Sequence, residues 1–148
     1  MLTETLKLLF ERDLKKLKSE IETYKNEKNI WCIDKNITNS AGNLCLHLIG
    51  NLNWFIGAQL GNTGYIRQRE IEFSATNIPI ADLLKEIDKT RAMLDKTFDK
   101  ITNDKLEAEY PVLIFEQNPS TYYFLVHLIT HLGYHLGQIN YHRRLLDE

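Results

Sequence analysis

The run from Tyr122 to Leu146, YYFLVHLITHLGYHLGQINYHRRLL, limits what this chain can become more than any other stretch. Leu125, Leu128, Leu132, Leu136 and Ile139 recur every three or four residues. That spacing puts them on one side of an α-helix turning about 100° per residue. The same run holds four of the five histidines, His127, His131, His135 and His142. On the helical projection His135 borders the apolar stripe, His131 lies one step further round, and His127 further still. Thr130, Gly133, Gly137, Asn140 and Arg144 fall on the opposite, solvent-type face. Residues four apart share a helix face, so His131 and His135 can reach one atom beside the helix. A lone histidine at a core edge is ordinarily a structural residue with a satisfied hydrogen bond. The spacing HxxxH alone is also short of the zinc-protease signature HExxH, because Leu132 follows His131. A third ligand is needed to make the pair a site.

Composition sets the class. The 148 residues suffice for one domain, 1–148, with a proper core. Apolar and charged fractions of 43% and 26% are those of an ordinary soluble globular protein. A net charge of −2 with scattered Lys and Arg gives no nucleic-acid footprint. No apolar run reaches membrane-spanning length, and the charged, amphipathic start MLTETLKLLFERDLKKLKSE reads as neither signal peptide nor anchor. Cys32 and Cys45 are too few and too unpatterned for a disulfide framework or CxxC site, so both are expected to be buried small residues of a reduced, cytoplasmic protein.

Taken in order, Leu6, Phe10, Leu14, Leu17, Ile21 and Tyr24 mark a first helix over residues 2–24. Residues 26–39 carry no sustained period and form a connection. Asn39 or Ser40 caps a second helix that runs to about Leu60, with Leu44, Leu48, Leu52 and Phe55 inward. The stretch GNTGYIRQREIEFSATNIP is too long for a simple turn, and loops of that size are more often functional than idle. Pro79 opens a third helix with Ile80, Leu84, Ile87, Leu94, Phe98 and Ile101 at helical spacing. Residues 102–119 form a second long connection, whose PVLIF piece is expected as a short extended segment over one end. The pattern predicts an all-α, four-helix bundle with two long connections.

The remaining histidine, His47, lies on the second helix beside its apolar stripe, with Asn51 one turn on. One ligand from one helix and an i, i+4 pair from another is how bundle-core metal sites are built. Three neutral imidazoles favour Zn²⁺ or Ni²⁺ and also accept Fe²⁺, Co²⁺ or Mn²⁺. Three protein ligands leave positions open, as catalytic sites do.

Together GNLCLHLIGNLNWF, GYIRQREIEF and HLITHLGYHLGQINYHRRLL resemble the DinB/YfiT-like superfamily over nearly the whole chain. The resemblance implies an up-down-down-up four-helix bundle, often dimeric, with a metal held by three histidines that map onto His47, His131 and His135. It also implies metal-dependent transfer of a low-molecular-weight thiol to an electrophilic substrate, although many members have no established activity. A metal-dependent hydrolase and a non-catalytic metal- or ligand-binding helical dimer of a stress response are the competing readings. No nucleic-acid or membrane partner is expected.

Five further residues are expected near the site. Asn51 and Gln138 can hydrogen-bond a ligand ring or a substrate, and His127 completes an i, i+4, i+8 row at its outer edge. Arg67 or Arg69 can bind a carboxylate of an acidic thiol through the guanidinium fork, or pair with Glu to fix the loop. His142 is read as structural. Gly133 and Gly137, on the outer face, are read as places where another helix or subunit can approach closely.

Overall fold

Leu6, Phe10, Leu14, Leu17 and Ile21 line one side of the first helix, α1 (Leu2–Thr23), and all are buried in the computed structural model, which describes residues 2–148. A short 3-10 turn (Glu27–Trp31) comes next. It turns Ile30 fully inward, so Cys32 just beyond it is left exposed. The expectation of two buried cysteines therefore holds only for Cys45, whose thiol is pushed up to about 12 by burial.

The second helix, α2 (Ala41–Leu52), begins where the Ser40 hydroxyl accepts a bond from Asn43 N–H at 3.1 Å. It then passes through a π-helical turn (Asn53–Ala58) and ends at Gly61, close to the expected Leu60. Asn62 lies beyond it in the left-handed region at φ 51°, which ends the helix. Such π turns insert one residue and rotate the next stretch of helix about its axis. Here Phe55 lies within the turn, and its backbone carbonyl accepts a hydrogen bond from the Tyr110 hydroxyl at 2.6 Å.

The long connection after Asn62 is not all loop. It contains the short helix α3 (Arg69–Ser74), which packs on α2. Asn43 Nδ2 ties it down by donating to the carbonyls of Glu72 and Ala75 at 3.0 and 2.8 Å. Pro79 precedes α4 (Ile80–Phe98). Leu83, Ile87, Leu94 and Phe98 form its buried face, while Ile80 and Leu84 are only partly covered. Ile101 falls past the helix end but is still buried.

A further short helix, α5 (Asn103–Glu107), is capped by Thr102. The segment after it is closed at its base by a single antiparallel bridge between Glu109 and Ser120. The PVLIF piece forms no strand; Val112 and Ile114 simply lean on the core. Ser120 caps α6 (Thr121–Leu146), the histidine helix, by accepting from Tyr123 N–H at 3.1 Å.

The described residues thus form an all-helical fold with no extended ladder. α1 packs against α4 and α6, and α2 packs against α3, α4 and α6. His47 of α2 meets His131 and His135 of α6, whereas Phe55 further along α2 meets Phe124, nearer the start of α6. The two helices therefore run antiparallel. Among the described residues, no helix is long and apolar enough to cross a membrane.

Candidate metal centre

His47, His131 and His135 come together between α2 and α6, with ligand atoms that all lie within 4.8 Å of one another. His131 Nε2 stands 3.2 Å from His47 Nε2 and 3.1 Å from His135 Nε2. The rings meet edge-on, at interplanar angles of 75° to 89°. His47 is buried and the other two are half-buried.

The protons on these rings can be assigned from their outer partners. Glu72 Oε1 lies 3.1 Å from His47 Nδ1. Burial opposes the charge on Glu72, but bonds from His47 and Arg67 outweigh it and hold the carboxyl below its ordinary value. Arg67 Nη2 also lies 3.3 Å from His47 Nδ1, but it donates at the shorter 2.9 Å to Glu72 Oε1. A carboxylate only accepts, so the Glu72 contact favours the hydrogen on His47 Nδ1 and a lone pair on its Nε2. His135 Nδ1 likewise donates to Gln138 Oε1 at 2.7 Å, which leaves a lone pair on its Nε2.

Two lone pairs thus face His131 Nε2, which can hold at most one hydrogen and so satisfy only one of them. Protonating His131 does not resolve this. Burial and the neighbouring imidazoles press its pKa down to about 4. Burial also lowers His135, partly offset by the Gln138 bond.

One divalent cation could accept lone pairs from all three rings, whose ligand atoms lie within 4.8 Å of one another. Two imidazoles bound at about 2.0–2.1 Å at the tetrahedral angle place their nitrogens about 3.3 Å apart. The observed 3.1 and 3.2 Å match that spacing. The residues present fit a divalent metal ion.

Of the other residues singled out in the sequence, Arg67 and Gln138 contact the histidine cluster directly, at His47 and His135. Arg67 Nε and Nη2 donate to Glu72 Oε2 and Oε1, both at 2.9 Å, a bidentate pair that fixes the loop. Of the two roles open to Arg67 in the sequence, the ion pair is the one this geometry makes. Arg69 is exposed, with its guanidinium 5.1 Å from the Phe73 ring centre. His127 is exposed and lies stacked on Phe124 and edge-on to Phe115, both centroids 5.7 Å away. Asn51 is 6% exposed, and its Oδ1 has no hydrogen-bond partner. His142 lies apart from the site; its Nδ1 accepts from the Tyr24 hydroxyl at 2.6 Å and its Nε2 donates to the Cys32 carbonyl at 2.8 Å. Its structural role is as expected.

Glu72 is the residue the sequence underplays. Read from the chain alone it is one of the loop acids with which Arg67 or Arg69 can pair. In the fold it stands behind His47, on the Nδ1 side. The one sequence clue is Gly50, one turn from His47. A Cβ there would overlap the Glu72 carboxylate, so the glycine opens the space that the acid fills.

Among known proteins, a family model described as "Protein of unknown function (DUF1572)" matches residues 3–148. No curated protein matches the chain.

Proposed function

The chain belongs to the DUF1572 family, and from that footing we propose that it is a metal-dependent enzyme. Its three-histidine centre would transfer a low-molecular-weight thiol to an electrophilic substrate. The observation that carries the metal is the convergence of three Nε2 atoms with too few hydrogens to satisfy one another. The motifs around His47 and around His131 and His135 support placing the family within the DinB/YfiT-like superfamily. The packing of α1 on α4 and α6, and of α2 on the same two helices, supports reading the four long helices as one up-down-down-up bundle domain over residues 1–148.

His47, His131 and His135 hold the ion, with zinc or nickel preferred. Glu72 and Gln138 fix the ligand tautomers from behind. A bound divalent ion supplies Lewis acidity, which favours the thiolate form of a thiol beside it. Arg69, exposed on α3, is the cation left to meet an acidic thiol, since Arg67 is engaged by Glu72. Thiol transfer is favoured over hydrolysis because Glu72 is held behind His47 by Arg67 and is not free to act as a general base. The free, exposed Cys32 and free, buried Cys45 accord with a reduced, cytoplasmic setting.

The protein is further proposed to be a homodimer. On α6, Tyr134, Tyr141 and Leu145 are each more than half exposed at helical spacing, and Gly137 between them has open space where a Cβ would be. A matching helix of a second copy would cover this stripe.

The test is an assay of tag-free protein loaded with zinc or nickel, using a panel of low-molecular-weight thiols and a generic electrophile. Turnover above the uncatalysed rate, lost in a folded His131→Ala variant, is the expected result. Thiol-independent ester cleavage would identify a hydrolase. Tight metal binding without turnover of any thiol or ester would leave a non-catalytic module.

A further inference from the structure

Two buried polar atoms without a partner lie on the facing helices of the site: Nδ1 of His131 and Oδ1 of Asn51. We propose that Asn51 is a positioning residue whose Oδ1, not bonded to His131 in this structure, accepts a hydrogen bond from His131 Nδ1–H when a metal is bound and so commits the Nε2 lone pair of His131 to the ion. This rests on the three-histidine reading above and goes beyond it, since the two other ring tautomers already have their partners in Glu72 and Gln138.

The chemistry of the ring sets the requirement. An imidazole that gives its Nε2 lone pair to an ion keeps its hydrogen on Nδ1. A buried N–H of this kind needs an acceptor, and metal-bound histidines nearly always find one. Among the described residues, the buried side-chain atoms without a partner are Trp31 Nε1, Asn51 Oδ1, Thr121 Oγ1 and His131 Nδ1 itself. Trp31 Nε1 can only donate. Thr121 lies ten residues before His131 on α6, about 15 Å along the helix. Asn51 Oδ1 is the acceptor that remains among these buried side-chain atoms.

The backbone brings the two together. α2 and α6 are antiparallel, with His47 against His131 and His135, and Phe55 against Phe124. Asn51 stands midway between His47 and Phe55 on α2, which puts it level with the Leu128 turn of α6. Helical side chains lean toward their own N-terminus. The His131 ring therefore leans back over the Leu128 turn, and the Asn51 amide leans toward His47. These leanings bring the two side chains toward the same level of the α2–α6 interface.

The experiment uses the full, tag-free chain with cobalt(II) and zinc. Asn51→Leu keeps the volume and removes the acceptor, whereas Asn51→Asp keeps an acceptor oxygen. Cobalt affinity is read by titration, and folding by circular dichroism. The expected result is a loss of about 10–100-fold in affinity for Asn51→Leu, with affinity regained in Asn51→Asp. Independently of any variant, the zinc-loaded native protein should show a slowly exchanging ring proton on His131 Nδ1 by nitrogen-15 NMR. An Asn51→Leu variant that is folded and binds cobalt within twofold of native overturns the proposal. So does a zinc-loaded His131 whose Nδ1 bears no proton. If native protein and His131→Ala bind cobalt equally, the metal reading itself has failed; if they differ while Asn51→Leu matches native, only the role of Asn51 has.

Discussion

The Glu72 carboxylate lies against the backbone of Gly50, in the space that any larger side chain would claim, and from there it reaches His47 Nδ1 at 3.1 Å. An acid of α3, a glycine of α2 and a ligand histidine are thereby set in one register. The acid also binds Arg67 through both oxygens, so the whole 67–72 stretch is fixed relative to α2.

Gly50→Ala should therefore do more than add a methyl group. Ala gains about 0.5–1 kcal/mol over Gly in a helix, but its Cβ overlaps the Glu72 carboxylate, so Glu72 must move and lose its bonds to His47 and Arg67. The expected outcome is a lowered urea midpoint together with weaker zinc binding. A variant with unaltered zinc affinity would show that Glu72 does not govern His47.

Glu72→Gln tests the tautomer directly. The amide can turn its N–H₂ toward His47 and no longer forces the hydrogen onto Nδ1. Metal affinity should fall about 10–100-fold, the usual effect of removing a partner behind a ligand. Calorimetric titration with zinc at fixed pH reads the change. Full native affinity in this variant would argue against the assigned proton positions.

Acid should weaken the metal-free fold through the same histidines. His131 has a folded pKa of about 4, against an ordinary value of 6.5. Below pH 6.5 the unfolded chain takes up a proton that the folded chain refuses, so stability is fullest above that pH and falls on the way down to about 4. His135 and His142, also lowered, act in the same direction. Glu72, held below its ordinary value, extends the loss to still lower pH. Urea midpoints of metal-free protein measured from about pH 7.5 to about pH 4.5 should decline, and His131→Ala should flatten the curve.

Tyr24→Phe serves as a contrast. It removes the hydroxyl that donates to His142 Nδ1, away from the metal centre. A buried acceptor left without its donor costs about 1–3 kcal/mol. Stability should drop by roughly that amount with zinc affinity unchanged; a drop in affinity would tie His142 to the site.

Much of this arrangement is visible in the residues alone. Helical periodicity marks α1, α2, α4 and α6 because each long helix hides one apolar face, and the same periodicity sets His131 and His135 side by side. What periodicity misses has physical reasons. The π turn at Asn53–Ala58 changes hydrogen bonding without changing residue type, so nothing in the residues marks it. The α3 helix is too short for a period to show, and its hold on α2 comes from Asn43 bonding its carbonyls. Cys32 is exposed because Ile30, in the 3-10 turn just before it, takes the inward position, and a connection without a period gives no sign of which residue does so. The place of Glu72 depends on a loop folding back onto a distant glycine, a long-range fact carried by no local pattern.

The most direct test of the central claim is X-ray absorption at the zinc edge on tag-free protein loaded with one equivalent of zinc. The account requires three imidazole nitrogens at about 2.0–2.1 Å, reduced to two in a folded His131→Ala variant. A first shell of oxygen alone, or one unchanged by that substitution, would contradict it.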